Sequence, residues 1–130
     1  MAYQKNYTVI DLPFALTRKV YVLDGDGEQS KLVEDTEWHS RNLERDQALF
    51  EFFVSNKLLT EREERWPDIR SLVVWLLDFT PEGQRFVESG ATYRWLASFD
   101  RTPGKSPSDT RLLERRLREM REKGRRGKEG

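Results

Sequence analysis

Thr80-Pro81-Glu82-Gly83-Gln84-Arg85-Phe86-Val87-Glu88-Ser89-Gly90 is the most fully punctuated stretch of the chain. Thr80 can cap the free amides of a first turn, and Pro81 suits the first helical position, where its missing N–H is not needed. Glu82 faces the positive end of the helix dipole, and Gly90 can take the left-handed conformation that closes a helix. A helix bounded by its own start and stop signals is therefore expected here, and the fold is decided by what packs on it.

Downstream, Ala91 to Phe99 can form a short helix. Asp100-Arg101-Thr102-Pro103-Gly104-Lys105 has linker composition. Ser106-Pro107-Ser108-Asp109 repeats the cap-plus-proline signature and predicts a last helix to about Lys123, with Gly124 and Gly127 loosening the end. Upstream, Leu43, Phe50 and Val54 recur near helical spacing between about Ser40 and Leu59, and Leu49, Phe52 and Phe53 widen the apolar face. Thr60-Glu61-Arg62-Glu63 has capping-box spacing. A second, deeply buried helix is expected from Pro67 or Asp68 through Ile69, Leu72, Val73, Leu76 and Leu77.

The N-terminal third has strand character instead. Tyr7-Thr8-Val9-Ile10 is β-branched and aromatic and is interrupted by Pro13. Lys19-Val20-Tyr21-Val22-Leu23 and Ser30-Lys31-Leu32-Val33 flank the turn-rich Asp24-Gly25-Asp26-Gly27 and predict a β-hairpin. A hairpin alone is marginal in water and must lean on the helices. The expected fold is α+β and predominantly helical, a small N-terminal hairpin packed on about four helices. The compact domain spans 1–100, a linker 101–107, and a basic amphipathic helix with a loose tail 108–130.

Composition limits the function. The 130 residues, 36% hydrophobic and 35% charged, suit one domain whose core relies on four Trp, four Tyr and seven Phe. Without cysteine there is no disulfide, thiolate chemistry or Cys-ligated metal. Residues 1–12 lack the basic start and apolar stretch of a secretory signal, and the longest apolar run, Leu72 to Leu77, is far short of the roughly 20 residues that span a bilayer. A cytoplasmic protein without membrane contact is expected. Net charge is zero, but Asp109–Gly130 holds nine Lys or Arg against five Asp or Glu, so a mildly acidic body carries a basic tail.

Catalytic motifs are sparse. Val20 to Gly27 resembles the nucleophile motif of haloacid-dehalogenase-type phosphatases, in which the first Asp (here Asp24) attacks phosphorus and the second (Asp26) is acid/base, with magnesium offsetting charge. Glu28 stands where that motif has Thr or Val, no alternating strand–helix pattern follows, and a hairpin turn explains the same residues. Asp24, Asp26 and Glu28 also have the alternation of a calcium loop, but Gln29 replaces its glycine and Asp35 its final Glu. His39, the only histidine, lies near Glu34, Asp35 and Glu37, a set that could ligate a divalent metal or simply form a solvated helix entry. No nucleophile elbow or phosphate-binding glycine loop is present. The expected protein is not an enzyme and has no cofactor or resident metal.

Two segments suggest binding. Pro81 to Phe99 resembles a helix-turn-helix, with Gly90 at the turn and Thr92 and Arg94 as the base readers, although Phe86 and Arg85 depart from its usual packing residues. In the last helix Leu113, Leu117 and Met120 form an apolar stripe with Leu112 alongside. Arg111, Arg115, Arg116, Arg118 and Arg121 cover the rest, followed by Arg125 and Arg126. Glu114–Arg118, Arg115–Glu119 and Glu119–Lys123 have ion-pair spacing. The stripe can dock on the body, enter a groove on another protein or a second copy, or carry its arginines to nucleic-acid phosphate. The leading expectation is a small non-catalytic protein-binding module of adaptor, inhibitor, assembly-chaperone or immunity type, compatible with a phage or mobile-element origin. Its partner contacts would be Leu113, Leu117, Met120, Arg111, Arg115 and Arg118. The alternative is a nucleic-acid-binding regulator using Thr92, Arg94, Arg121, Arg125 and Arg126.

Overall fold

The computed structural model describes residues 6–23, 25, 27, 29–60, 68–102 and 104–129, with the side chains of 100 and 125–129 excepted. Asp24, Asp26 and Glu28 of the acidic turn, Glu61, Arg62 and Glu63 of the capping box, Pro67 and Pro103 lie outside the described residues. The fold is predominantly helical α+β.

Strand β1 (Thr8–Asp11) runs into a single-turn helix α1 (Leu12–Ala15). The Asp11 carboxylate accepts the Phe14 amide at 3.2 Å, and Pro13 sits in the first turn, where no amide is missed. Strands β2 (Lys19–Leu23) and β3 (Ser30–Glu34) then form the expected hairpin, antiparallel in unbroken register from Lys19↔Glu34 to Leu23↔Ser30. Helix α2 (Thr36–Ser55) starts earlier than its apolar periodicity implies because Asp35 caps it, accepting the Trp38 amide at 3.2 Å. It ends at Ser55 with Asn56 as its C-cap, and Lys57 just beyond takes a left-handed φ of 57°.

The segment after Asp68 is not the buried helix that its apolar run suggests. It is a 3-10 turn (Ile69–Ser71), strand β4 (Val73–Trp75) and a second 3-10 turn (Leu76–Asp78). Leu72, Val74 and Leu76 are buried, while Trp75 and Leu77 are exposed. That is strand alternation, hidden in the sequence because both faces are apolar. β1 supplies the missing ladder: Ile10 pairs with Val74 and Asp11 with Val73, while Leu12 N donates to Leu72 O (3.0 Å) and Leu76 N to Tyr7 O (2.9 Å). β-Branched Val73 and Val74 suit that role better than a helix interior.

Helix α3 (Pro81–Glu88) begins and ends as its signals predict. Thr80 Oγ1 accepts the Gly83 amide at 3.1 Å, and Gly90 has a φ of 89° at the turn into α4 (Ala91–Arg101). Gly83 is needed for packing: a Cβ there would collide with the Leu58 carbonyl oxygen and the Phe79 side chain. The core joins α2, the β1–β4 pair, α3, α4 and the last helix. Phe53 meets Phe79 edge-on at 4.8 Å, Phe52 lies 5.6 Å from Phe86, and Trp95 meets Phe99 edge-on at 4.8 Å.

Helix α5 (Arg111–Glu129) starts several residues after the Ser-Pro signal, since Ser106 to Asp109 closes a turn of its own. It continues through Gly124 and Gly127. The segment before it is tied to the body, with Trp95 Nε1 donating to Asp109 O at 2.8 Å and Lys105 Nζ to Ser98 Oγ at 2.9 Å. Among the described residues no helix is long and apolar enough to cross a membrane.

Candidate partner-binding face

The apolar stripe of α5 faces inward. Leu113 and Leu117 are fully buried in the chain's own core, and Met120 and Leu112 pack against it partly buried. Arg121, on the same side, grips Glu82 of α3 through two bonds of 2.9 and 3.1 Å and donates to Asn56 O at 2.8 Å. The Arg121 hydrogen bond holds the Glu82 carboxyl below its ordinary range. The stripe and Arg121 are therefore part of the domain. The outward arginines converge elsewhere: Arg111, Arg115 and Arg118 line a shallow groove with Lys105, Leu112 and Glu114. Arg111 is bound to the Asp109 carboxylate (2.8 and 2.9 Å), whose pKa these side-chain and backbone bonds pull down to about 2. None of the three anticipated i, i+4 pairs forms among the described residues; Arg116 bonds Glu119 at 3.3 Å instead.

The α3–α4 pair has a helix-turn-helix outline, joined at Gly90. Thr92 is buried with its hydroxyl unpartnered among the described residues, and Arg94 folds back over Gly90 to donate to Ser89 O at 2.9 Å. The Arg125 and Arg126 side chains lie outside the described residues. Thr92 is thus inside the fold and Arg121 is tied to Glu82, while Arg94, bonded to Ser89, stays exposed.

The surface that sequence reasoning missed lies at the other end of the chain. Val9 and Ile10 of β1, Phe14 and Ala15 of α1, Trp38, Asn42 and Asp46 of α2, and Leu96 of α4 line a largely apolar cleft of about 450 Å³. Phe14 stands at its edge, 76% exposed. Arg18 closes one side, its guanidinium 3.9 Å from the Trp38 ring centroid and 3.4 Å from the Asp35 carboxylate. The indole Nε1 of Trp38 is buried and has no partner among the described residues. Asn42 donates to Trp38 O at 2.9 Å, and Arg45 bonds both Asn42 and Asp46. Burial raises the Asp46 carboxyl above its ordinary value, against the pull of Arg45. An apolar hollow with a few convergent polar groups is the usual form of a binding pocket.

The hairpin adjoins this cleft at Arg18, whose carbonyl accepts from Asp35 N (3.2 Å) and His39 Nε2 (2.9 Å). His39 thus anchors the hairpin base, and among the described residues no three His, Asp or Glu side chains gather as a metal-ligand set. Beyond its base the hairpin does not lean on the helices as expected. All of β2 is exposed, and Tyr21, Leu23 and Leu32 are 69%, 69% and 48% accessible. Because β2 is apolar at consecutive positions, both of its faces carry apolar side chains, and neither is covered. Compared with known proteins, the chain matches no family model, no curated protein and no solved structure.

Proposed function

We propose that the chain is a non-catalytic protein-binding module that receives an apolar segment of another protein in the cleft between α1 and α2. The carrying observation is that cleft, with Phe14 left at its edge and the Trp38 indole N–H buried without an acceptor among the described residues. Burying Phe14 against a docked segment would stabilise a complex by about 1.5–3 kcal/mol. Exposed aromatics beside a hollow are the usual anchors of such contacts. The assignment moves the partner surface away from Leu113 and Leu117, which the core uses. Adaptor, inhibitor, assembly-chaperone and immunity-type roles all fit this mode of action, as do a cytoplasmic location and a mobile-element origin.

The test is recovery of a partner from extracts of the source cells, its identification by mass spectrometry, and re-binding of the purified pair. Phe14→Lys should weaken that binding at least tenfold with the helical circular dichroism unchanged. Undiminished binding by the folded variant overturns the assignment. The nucleic-acid alternative now rests on the groove of Lys105, Arg111, Arg115 and Arg118. Mobility shift on duplex DNA and RNA at about 50 and 200 mM salt decides it: phosphate contacts give a steep loss with salt. Absence of any shift at the lower salt removes that alternative.

A further inference from the structure

The outer edge of β2 is open. Among the described residues no backbone group of Lys19–Leu23 bonds to anything but β3. An open row of N–H and C=O groups templates a further strand, and proteins ordinarily blunt such edges with charge, proline or a bulge. β3 is blunted by Lys31 and Glu34. β2 carries only its terminal Lys19; the rest reads Val20-Tyr21-Val22-Leu23, unbulged.

We propose that β2 pairs antiparallel with β2 of a second copy of this chain, giving a four-stranded sheet in the order β3-β2-β2-β3. The idea rests on the protein-binding reading and names one partner for it, at a surface distinct from the cleft. The strand is self-complementary about Tyr21. A two-fold axis there sets Tyr21 against Tyr21 of the second copy, Val20 against Val22, and Lys19 against Leu23. Because Tyr21 already faces Leu32 within the hairpin, one face gains the continuous row Leu32-Tyr21-Tyr21-Leu32. The other face gains two Val20–Val22 pairs, each flanked by Val33 on one side and Lys31 on the other, and aromatic and β-branched cross-strand pairs are the stabilising kind.

Charge separates this arrangement from the alternative edge. Pairing through β2 leaves the two Lys19 side chains about 13 Å apart, four residues at ~3.3 Å each. Pairing through β3 about Leu32 makes the two Lys31 side chains diagonal neighbours on one face, about 7–8 Å apart, where like charges repel. A four-stranded sheet also removes the weakness of an isolated two-stranded hairpin.

Sedimentation velocity of the full chain from about 1 to 500 µM, the affinity range of a small interface, tests the proposal. The expected result is a shift from one copy to two. Tyr21→Lys and Tyr21→Glu should each remain single at every concentration with helical circular dichroism retained, since each sets like charges on the axis. Mixed together they should pair again, which general apolar adhesion would not produce. A wild-type chain that stays single throughout overturns the proposal, as does a Tyr21→Lys chain that still pairs, or a charge-swapped mixture that does not. Binding of a different protein by wild type, lost in Phe14→Lys, is read separately and leaves the cleft assignment standing in each of those cases.

Discussion

Helix α5 and the β2–β3 hairpin both carry regularly spaced apolar residues on charged, solvent-reaching elements, yet the fold uses them in opposite ways. In α5, Leu113 and Leu117 are sealed into the core, and the basic residues that surround them are fastened by Glu82 and Asp109 or left outward. In the hairpin, Tyr21, Leu23 and Leu32 remain outside, and among the described residues only the base is fastened, by Asp35 and His39. A narrow stripe at helical spacing can be buried completely against one neighbour. A strand with apolar residues at successive positions needs cover on both faces, and β2 has neither face covered. The difference places stability at one end of the chain and the proposed recognition at the other.

The strongest way to break this contrast is to truncate each element's apolar side chains. Leu117→Ala should cost about 2–5 kcal/mol, read from urea unfolding, because it opens a cavity in a closed core. A loss under about 0.5 kcal/mol would mean that α5 is an arm after all. Acid should act on the same helix next. The Glu82 pKa is lowered, so the contribution of its pairing with Arg121 is complete above the ordinary carboxylate value of 4.5 and is lost as pH falls through the lowered one. Asp109 follows between 3.8 and about 2. Asp46, raised by burial, works the other way and is relieved as pH falls. Both Glu82 and Arg121 are about a third exposed, so Glu82→Gln should change stability by only about 0.2–1 kcal/mol at pH 7. The difference from wild type should shrink as pH falls below 4.5 and vanish once pH lies below the lowered Glu82 pKa, in acid unfolding monitored by circular dichroism. Smallest of all, Leu23→Ser should alter stability by no more than about 0.5 kcal/mol under dilute conditions, measured by the same urea titration. A larger loss would show that the hairpin leans on the body.

Elements with local chemistry were legible in advance. Thr80-Pro81 and Gly90 placed α3, the Lys19–Leu23 and Ser30–Val33 runs placed the hairpin, and the heptad-like Leu113, Leu117 and Met120 placed α5. What misled was information held in partners. Leu72 to Leu77 reads as a buried helix because its inward and outward residues are both apolar, and only the distant ladder from Thr8–Asp11 makes it a strand. The cleft was invisible for a related reason: β1, α1, α2 and α4 each contribute one or a few lining residues. Thr92 reads as an outward residue because its helical position is clear from the sequence but the rotation about the helix that buries it is not. A purely local trace of the cleft did exist, in Phe14 beside Pro13 on a helix too short to bury it.

Native-state amide exchange at two protein concentrations tests the division between α5 and the hairpin most directly. In dilute solution the amides of Arg115 to Arg121 should exchange only through global unfolding, while the outer-edge amides of β2 exchange freely. At high concentration β2 alone should gain protection. Fast exchange along α5, or a β2 edge already protected in dilute solution, would contradict the division.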